Sequence, residues 1–254
     1  MSKTCDSSRP VILMTDFGES EYVGMMRGVI RSLCPSAEIL DLTHSITPQS
    51  VTEGAWVLLK SYRFFPVGSL FVAVVDPGVG SARDAVIVRT REYTFLGPDN
   101  GLLYPTATEN GLEAVYSIIV PTSVSKTFHG RDVFAVAAGR LSAGAPIDTL
   151  GVRKGSLDVP LIFHLEGPEG QVVRIDRFGN VITNIPPTDR SEVELVIHGQ
   201  SRRLRVVDNY AAGSDSELLV VIGSAGTLEI AVKNGRAAEL LQVQAGDIVM
   251  IRPL

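Results

Sequence analysis

Asp76 and Arg83 stand on either side of the glycine-rich turn Asp76-Pro77-Gly78-Val79-Gly80, directly after the apolar run 69–75. His129 lies farther along, in Phe128-His129-Gly130-Arg131-Asp132. A carboxylate, a guanidinium and an imidazole form a set that can hold and activate a small nucleophile. For water the chemistry is sensible: a nearby positive charge favours hydroxide over neutral water, while Asp and His accept its protons. Such a site needs no metal. The structural alternative, an Asp76–Arg83 salt bridge that merely braces a loop, stays open at this level.

Other residues carry weaker signals. Asp16, in Thr15-Asp16-Phe17-Gly18, follows the first strand, and open α/β sheets bind their ligands at the carboxyl ends of strands. A carboxylate there accepts both hydroxyls of a ribose; otherwise it is a helix N-cap or turn residue. Asp176-Arg177-Phe178-Gly179-Asn180 joins an acid, an aromatic and an amide across a glycine turn. Asn180 offers the donor and acceptor that match a purine edge, and Phe178 a stacking face; the alternative is a hairpin with a core Phe. Glu229, within the run 223–232, could meet an ammonium group, though such residues more often face solvent.

Several readings are excluded. Asp16-Phe17-Gly18 matches the magnesium-binding triplet of protein kinases but leaves no room upstream for a nucleotide lobe. No P-loop or Rossmann spacing occurs. The four histidines (His44, His129, His164, His198) are scattered, without zinc-ligand spacing. Cys5 and Cys34 are isolated and read as two reduced thiols.

The elements that must position these residues alternate over the first part of the chain. Strands are expected at 10–15, 37–42 and 69–75, with helices at 22–33 and 51–61, a βαβαβ pattern that predicts a largely parallel sheet covered by helices. Hairpin strands follow at 85–90 and 93–96, then a turn at Pro98-Asp99-Asn100-Gly101. A helix at 131–141 presents the small face Ala135, Ala137, Ala138 and Gly139. A Gly/Pro/Ser-rich stretch from Gly151 to Gly170 marks a boundary, giving domains at 1–160 and 161–254. Beyond it, short strands at 171–176, 191–199, 202–207, 218–222, 228–232 and 247–251, with a helical turn at 236–241, predict a small antiparallel barrel or sandwich.

The 254 residues carry a net charge of -5 with 45% hydrophobic and 20% charged residues. That balance fits an ordinary globular protein and argues against general binding of nucleic acid or anionic membranes, which need a basic face. MSKTCDSSRP has no apolar signal core, and no later run is long enough to span a membrane. A cytoplasmic location is expected.

Taken in order, the motifs at 15–18, 76–83, 98–101, 128–132, 176–180 and 224–232 resemble those of the S-adenosyl-L-methionine (SAM) hydroxide adenosyltransferases, the adenosine-forming SAM hydrolases related to fluorinase and chlorinase. The resemblance implies an α/β domain followed by a β-barrel. It also implies a homotrimer whose active sites lie between the N-terminal domain of one subunit and the C-terminal domain of its neighbour. SAM would be hydrolysed to adenosine and L-methionine, with no cofactor. Asp76, Arg83 and His129 would position and activate water, and Asp16 would hold the ribose. Phe178 and Asn180 would contact adenine, with Val232 walling its pocket and Tyr210 stacking on it. Asp176, Ser224 and Glu229 would surround the methionine moiety. Halide-using relatives carry Tyr or Gly in place of Asp76 and lack the His at 129, and a carboxylate there repels halide. Gln49 stands where fluorinase has Trp. The alternatives are a SAM halide lyase and a non-catalytic adenosine-binding trimer.

Overall fold

Val11–Thr15 (β1) is buried along its whole length, as a strand must be when helices cover both faces of its sheet. The computed structural model describes residues 9–254, and the chain divides between Ile162 and Phe163 into two compact units.

In the first unit, β1 is followed by α1 (Glu21–Leu33), β2 (Ile39–Thr43), α2 (Val51–Ser61), β3 (Leu70–Val74), β4 (Ala85–Thr90), β5 (Thr94–Pro98), α3 (Tyr104–Glu109) and β6 (Leu112–Ile118). A π-helical segment, Gly130–Ala135, then runs into α4 (Val136–Ser142), and β7 (Gly151–Lys154) completes the sheet. The strand order is β2-β1-β3-β5-β4-β6-β7. The four strands from β2 to β5 are parallel, whereas β4, β6 and β7 are added antiparallel. On one face Val11, Leu13, Val72 and Val74 pack against Met26 and Ile30 of α1 and against Phe134. On the other, Tyr62, Tyr93 and the stacked pair Phe71–Phe95, 5.1 Å between centroids, form an aromatic cluster.

Several expectations change. The helix expected at 131–141 begins with the π-helical segment, because apolar spacing cannot separate a wide turn from an α-turn. Its small face does pack closely: a Cβ on Gly139 would lie 2.9 Å from Leu33 Cβ. The stretch read as a boundary contains β7, which pairs with β6. Cys34 is buried and disulfide-bonded rather than a reduced thiol, since sequence spacing alone does not reveal which sulfurs meet; Cys5 lies outside the described residues. Among the described residues no helix is long and apolar enough to cross a membrane.

The second unit holds β8 (Glu169–Ile175), β9 (Val181–Thr183), β10 (Glu192–Ile197), β11 (Gln200–Val207), β12 (Leu218–Ile222), β13 (Leu228–Val232), the short helix α5 (Ala237–Leu241) and β14 (Ile248–Pro253). They close into a barrel in the order β10-β11-β12-β13-β9-β8-β14. Alternate residues of β10 (Val193, Leu195, Ile197) point into its core, the period-2 signature of a strand with one wet face. β11 and β12 run parallel rather than antiparallel, a pairing that needs a crossover connection, supplied by residues 208–217.

The turn after β3 depends on Gly80, whose φ is +78° and where a Cβ would lie 2.3 Å from the Lys126 carbonyl oxygen. The backbone of the segment leading to His129 therefore rests directly on this turn. Gly80→Ala should destabilise the protein by at least about 1–3 kcal/mol in urea unfolding, the cost of strained backbone. Gly144→Ala, at φ +83° but with open space around it, should cost less, and equal costs would show that the close approach contributes nothing.

Candidate active site

β1 and β3 are adjacent and parallel, with Thr15 opposite Val74, but the chain leaves β1 toward β2 on one side and returns to β3 on the other. This is the topological switch point at which open α/β sheets form their ligand crevice. Asp16 emerges from the end of β1 and Asp76 just beyond the end of β3. Both line a cleft of about 650 Å³ with Phe17, Tyr22, Gln49, Phe128 and His129, a volume suited to a small organic ligand.

Arg83 organises one wall of this cleft. Its Nε donates to Asp76 Oδ1 at 2.8 Å and its Nη2 donates to Asp76 Oδ2, a bidentate pair. Nη2 also lies 3.0 Å from His129 Nδ1, and Nη1 donates to the Asp84 carbonyl at 3.2 Å. The guanidinium sits 5.7 Å from the centre of the Phe134 ring. The Asp76 and Arg83 side chains are only 6% and 9% exposed, so neither charge is left to water. A guanidinium can only donate. His129 Nδ1 is therefore the acceptor, and the imidazole is neutral with its proton on Nε2. Burial, then the Arg83 charge, hold the His129 pKa below its usual value, against the opposing pull of Asp76 and Asp132.

Asp16 is fixed from the segment after β2. The Gln49 N–H donates to Asp16 Oδ2 at 2.7 Å, and Gln49 adopts a φ of +67°, a left-handed conformation uncommon for such a residue. The same segment holds the turn around Asp16. Gly18 N–H donates to the His44 carbonyl at 2.8 Å, and Thr15 Oγ1 lies 2.9 Å from His44 Nδ1.

In the second unit, Asp176 builds its own turn. Its Oδ1 accepts the N–H groups of Phe178 and Asn180 at 2.8 and 2.9 Å, and its Oδ2 accepts Asn180 Nδ2 at 2.9 Å. Gly179, at φ +85° and packed on Arg236, lets the chain reverse. Phe178 is 73% exposed rather than a core residue. Glu229 is buried, not solvent-facing, and its Oε1 accepts the Tyr210 hydroxyl at 2.7 Å. Burial raises the Glu229 pKa, the Tyr210 hydrogen bond opposes this, and the Asp176 charge adds to the rise. Burial and the Glu229 contact also raise the Tyr210 pKa. Ser224 is exposed in the turn before β13, and Val232 lies in the barrel core.

The structure thus brings Asp16, Asp76, Arg83 and His129 together in the first unit, and Asp176, Asn180, Tyr210 and Glu229 together in the second. Residue types and spacing do not single out the aromatic corner of the cleft, where Phe17, Tyr22 and Phe128 meet edge to face at 4.9–5.9 Å. Phe17 and Phe128 each adjoin a residue already singled out, which was the available signal.

The same arrangement of sequence recurs in known proteins. Residues 11–151 match the SAM hydroxide adenosyltransferase N-terminal domain and residues 170–250 the C-terminal domain. An (R)-S-adenosyl-L-methionine hydrolase of Thermus thermophilus is 36% identical, over 94% of this chain and 97% of that protein. One from Salinispora arenicola is 38% identical, over 92% and 94%. The crystal structure of an uncharacterized conserved protein from Thermotoga maritima superposes with a TM-score of 0.87 at 36% identity, covering 95% of this chain and 99% of that one. With both domains matched in order on the fold and cleft described above, the chain belongs to the SAM hydroxide adenosyltransferase family.

Proposed function

We propose that this chain hydrolyses SAM to adenosine and L-methionine by attack of water on C5′. The observation that carries the reading is the buried contact of Asp76, Arg83 and His129 beside a switch-point cleft. Water held there donates one proton toward Asp76 while its oxygen accepts the Nε2–H of His129. A lone pair remains for the carbon. Arg83 holds both partners, so the tautomer of His129 makes it the orienting group and leaves Asp76 as the base. As the C5′–O bond forms, the C5′–S electron pair passes to sulfur, and the sulfonium leaves as the neutral thioether of methionine. No general acid is needed on that side, and the work is positioning and electrostatics.

Asp16, anchored by Gln49, accepts the ribose hydroxyls. In the barrel unit, exposed Phe178 and the amide of Asn180 take the adenine, with Val232 and Tyr210 beside it, and Asp176, Ser224 and Glu229 surround the methionine moiety. We place the complete site in a homotrimer in which the barrel of a neighbouring copy closes the cleft. The reaction so written uses no cofactor, and the cytoplasm is its proposed location. Light scattering that returns one or two chains per particle would overturn the trimer.

Purified protein given SAM should release adenosine and methionine in equal amounts, and no halogenated nucleoside when chloride or fluoride is added. Asp76→Ala should lower kcat by about 10²–10⁴-fold, the range for loss of a positioned proton-transfer group, and Arg83→Ala and His129→Ala, which lose the positioning of the water, by about 10²-fold. An inactive parent, or three undiminished variants, would sink the proposal.

Protonated His129 cannot accept from Arg83, so only the neutral form is competent. Activity should fall as pH drops through the His129 pKa, with the midpoint of that acid limb below the ordinary value of 6.5. A midpoint above it would contradict the assignment. Glu229→Gln should raise KM for SAM by about 10–100-fold, the worth of a hydrogen bond to a charged group, while the Kd of adenosine stays unchanged. A parallel loss of adenosine affinity would remove Glu229 from the methionine moiety.

A further inference from the structure

The Pro98-Asp99-Asn100-Gly101 turn takes no part in the reaction above, yet it is tied to both sides of the Asp76–Arg83 pair. Asn100 Nδ2 donates to the Val75 carbonyl at 2.9 Å, immediately before Asp76. The Asp99 N–H donates to the Asp84 carbonyl at 3.0 Å, immediately after Arg83, and that same carbonyl receives Arg83 Nη1. Asp99 is itself held: its side chain is 1% exposed, and both its carboxylate oxygens accept the Asp158 N–H at 3.1 Å.

Lys154, the last residue of β7, joins these parts. Its Nζ donates to Asp84 Oδ2 at 2.8 Å, Asp99 Oδ2 at 2.9 Å and Asp158 Oδ2 at 2.8 Å. Asp84 is further fixed by the Ser117 hydroxyl at 2.9 Å. The three carboxylates lie within 4.8 Å of one another, the spacing of a cation cage, and the chain's own ammonium is bonded to all three. Without it a buried carboxylate at Asp99 would stand uncompensated, and the mutual repulsion of three acids would drive Asp84 and Asp99 apart.

We propose that Lys154 is a positioning residue, whose ammonium locks the Asp84 and Asp99 segments so that Arg83 reaches Asp76 and His129 together. The inference rests on the reading of these three residues as the water-activating group. Lys154 is not among the residues that line the cleft and acts through the Asp84 and Val75 carbonyls.

Lys154→Met tests this, with Lys154→Met/Asp99→Asn as the companion that removes the orphaned buried charge and keeps a folded protein measurable. Circular dichroism and thermal melting establish the fold of each. In the folded variant kcat should drop by about 10²-fold, the effect of a misplacement near 1 Å, while KM for SAM stays unchanged. The pH profile supplies the readout that a purely structural role would not move. The charged groups facing His129 are Arg83, Asp76 and Asp132, with Asp16 and Arg131 on the same cleft. If Arg83 swings away, His129 loses the cation that depresses its pKa, and the acid limb should move to higher pH. Asn100→Asp, which puts an acceptor against the Val75 carbonyl, should lower kcat without shifting that limb. A folded Lys154 variant with the parent's kcat and acid limb, in a protein whose Asp76, Arg83 and His129 variants are inactive, overturns the positioning role alone. A parent without turnover overturns the reading beneath it.

Discussion

Everything near the cleft answers to one constraint: a carboxylate and a guanidinium, Asp76 and Arg83, sit together almost without access to water. Taking two charges out of solvent is expensive, and breaking such a pair on one side costs about 3–5 kcal/mol because the other charge is left buried. The arrangement holds only where further hydrogen bonds meet the remaining polar groups, and Arg83 finds them in the Asp84 carbonyl and His129 Nδ1. The pair braces its loop, and in the proposed mechanism the same pair holds the attacking water.

The pair also fixes what His129 can do. A guanidinium has no acceptor atom, so the ring must present a lone pair toward Arg83 and its proton elsewhere. Arg83, permanently charged, thus sets the tautomer of His129, and in the proposed mechanism that tautomer leaves Asp76 to take the proton. The π-helical segment that begins just after His129 belongs to the same device, since Phe134 within it packs against the guanidinium.

Much of the first unit was legible because β1, β3 and α2 carry strong local signals: unbroken apolar runs, and a Ser50 cap that accepts the Glu53 N–H. β6 and β7 were not, because β6 is buried only in its middle and β7 sits at the sheet edge with an exposed Val152. Pairing partners, not propensity, make them strands. In the cleft, Asp16 and Asp76 are legible as candidates from their places after strands. The role of Asp176 in organising its own turn depends on backbone contacts that a motif does not show. Lys154 carried no signal, since two of its partners are 70 and 55 residues away.

The cage around Lys154 has an implication of supply. Where many proteins gather three acids they recruit a divalent ion from solution, and the geometry then varies with the amount of that ion and with whatever else chelates it. Here the counter-charge is covalent, present in fixed ratio to the acids from the moment the chain is made, and it stays fully charged: burial works against it, but hydrogen bonds to Asp158, Asp84 and Asp99 prevail and raise its pKa. In the proposed role of Lys154, the alignment of this end of the sheet draws on a charge carried by the chain itself.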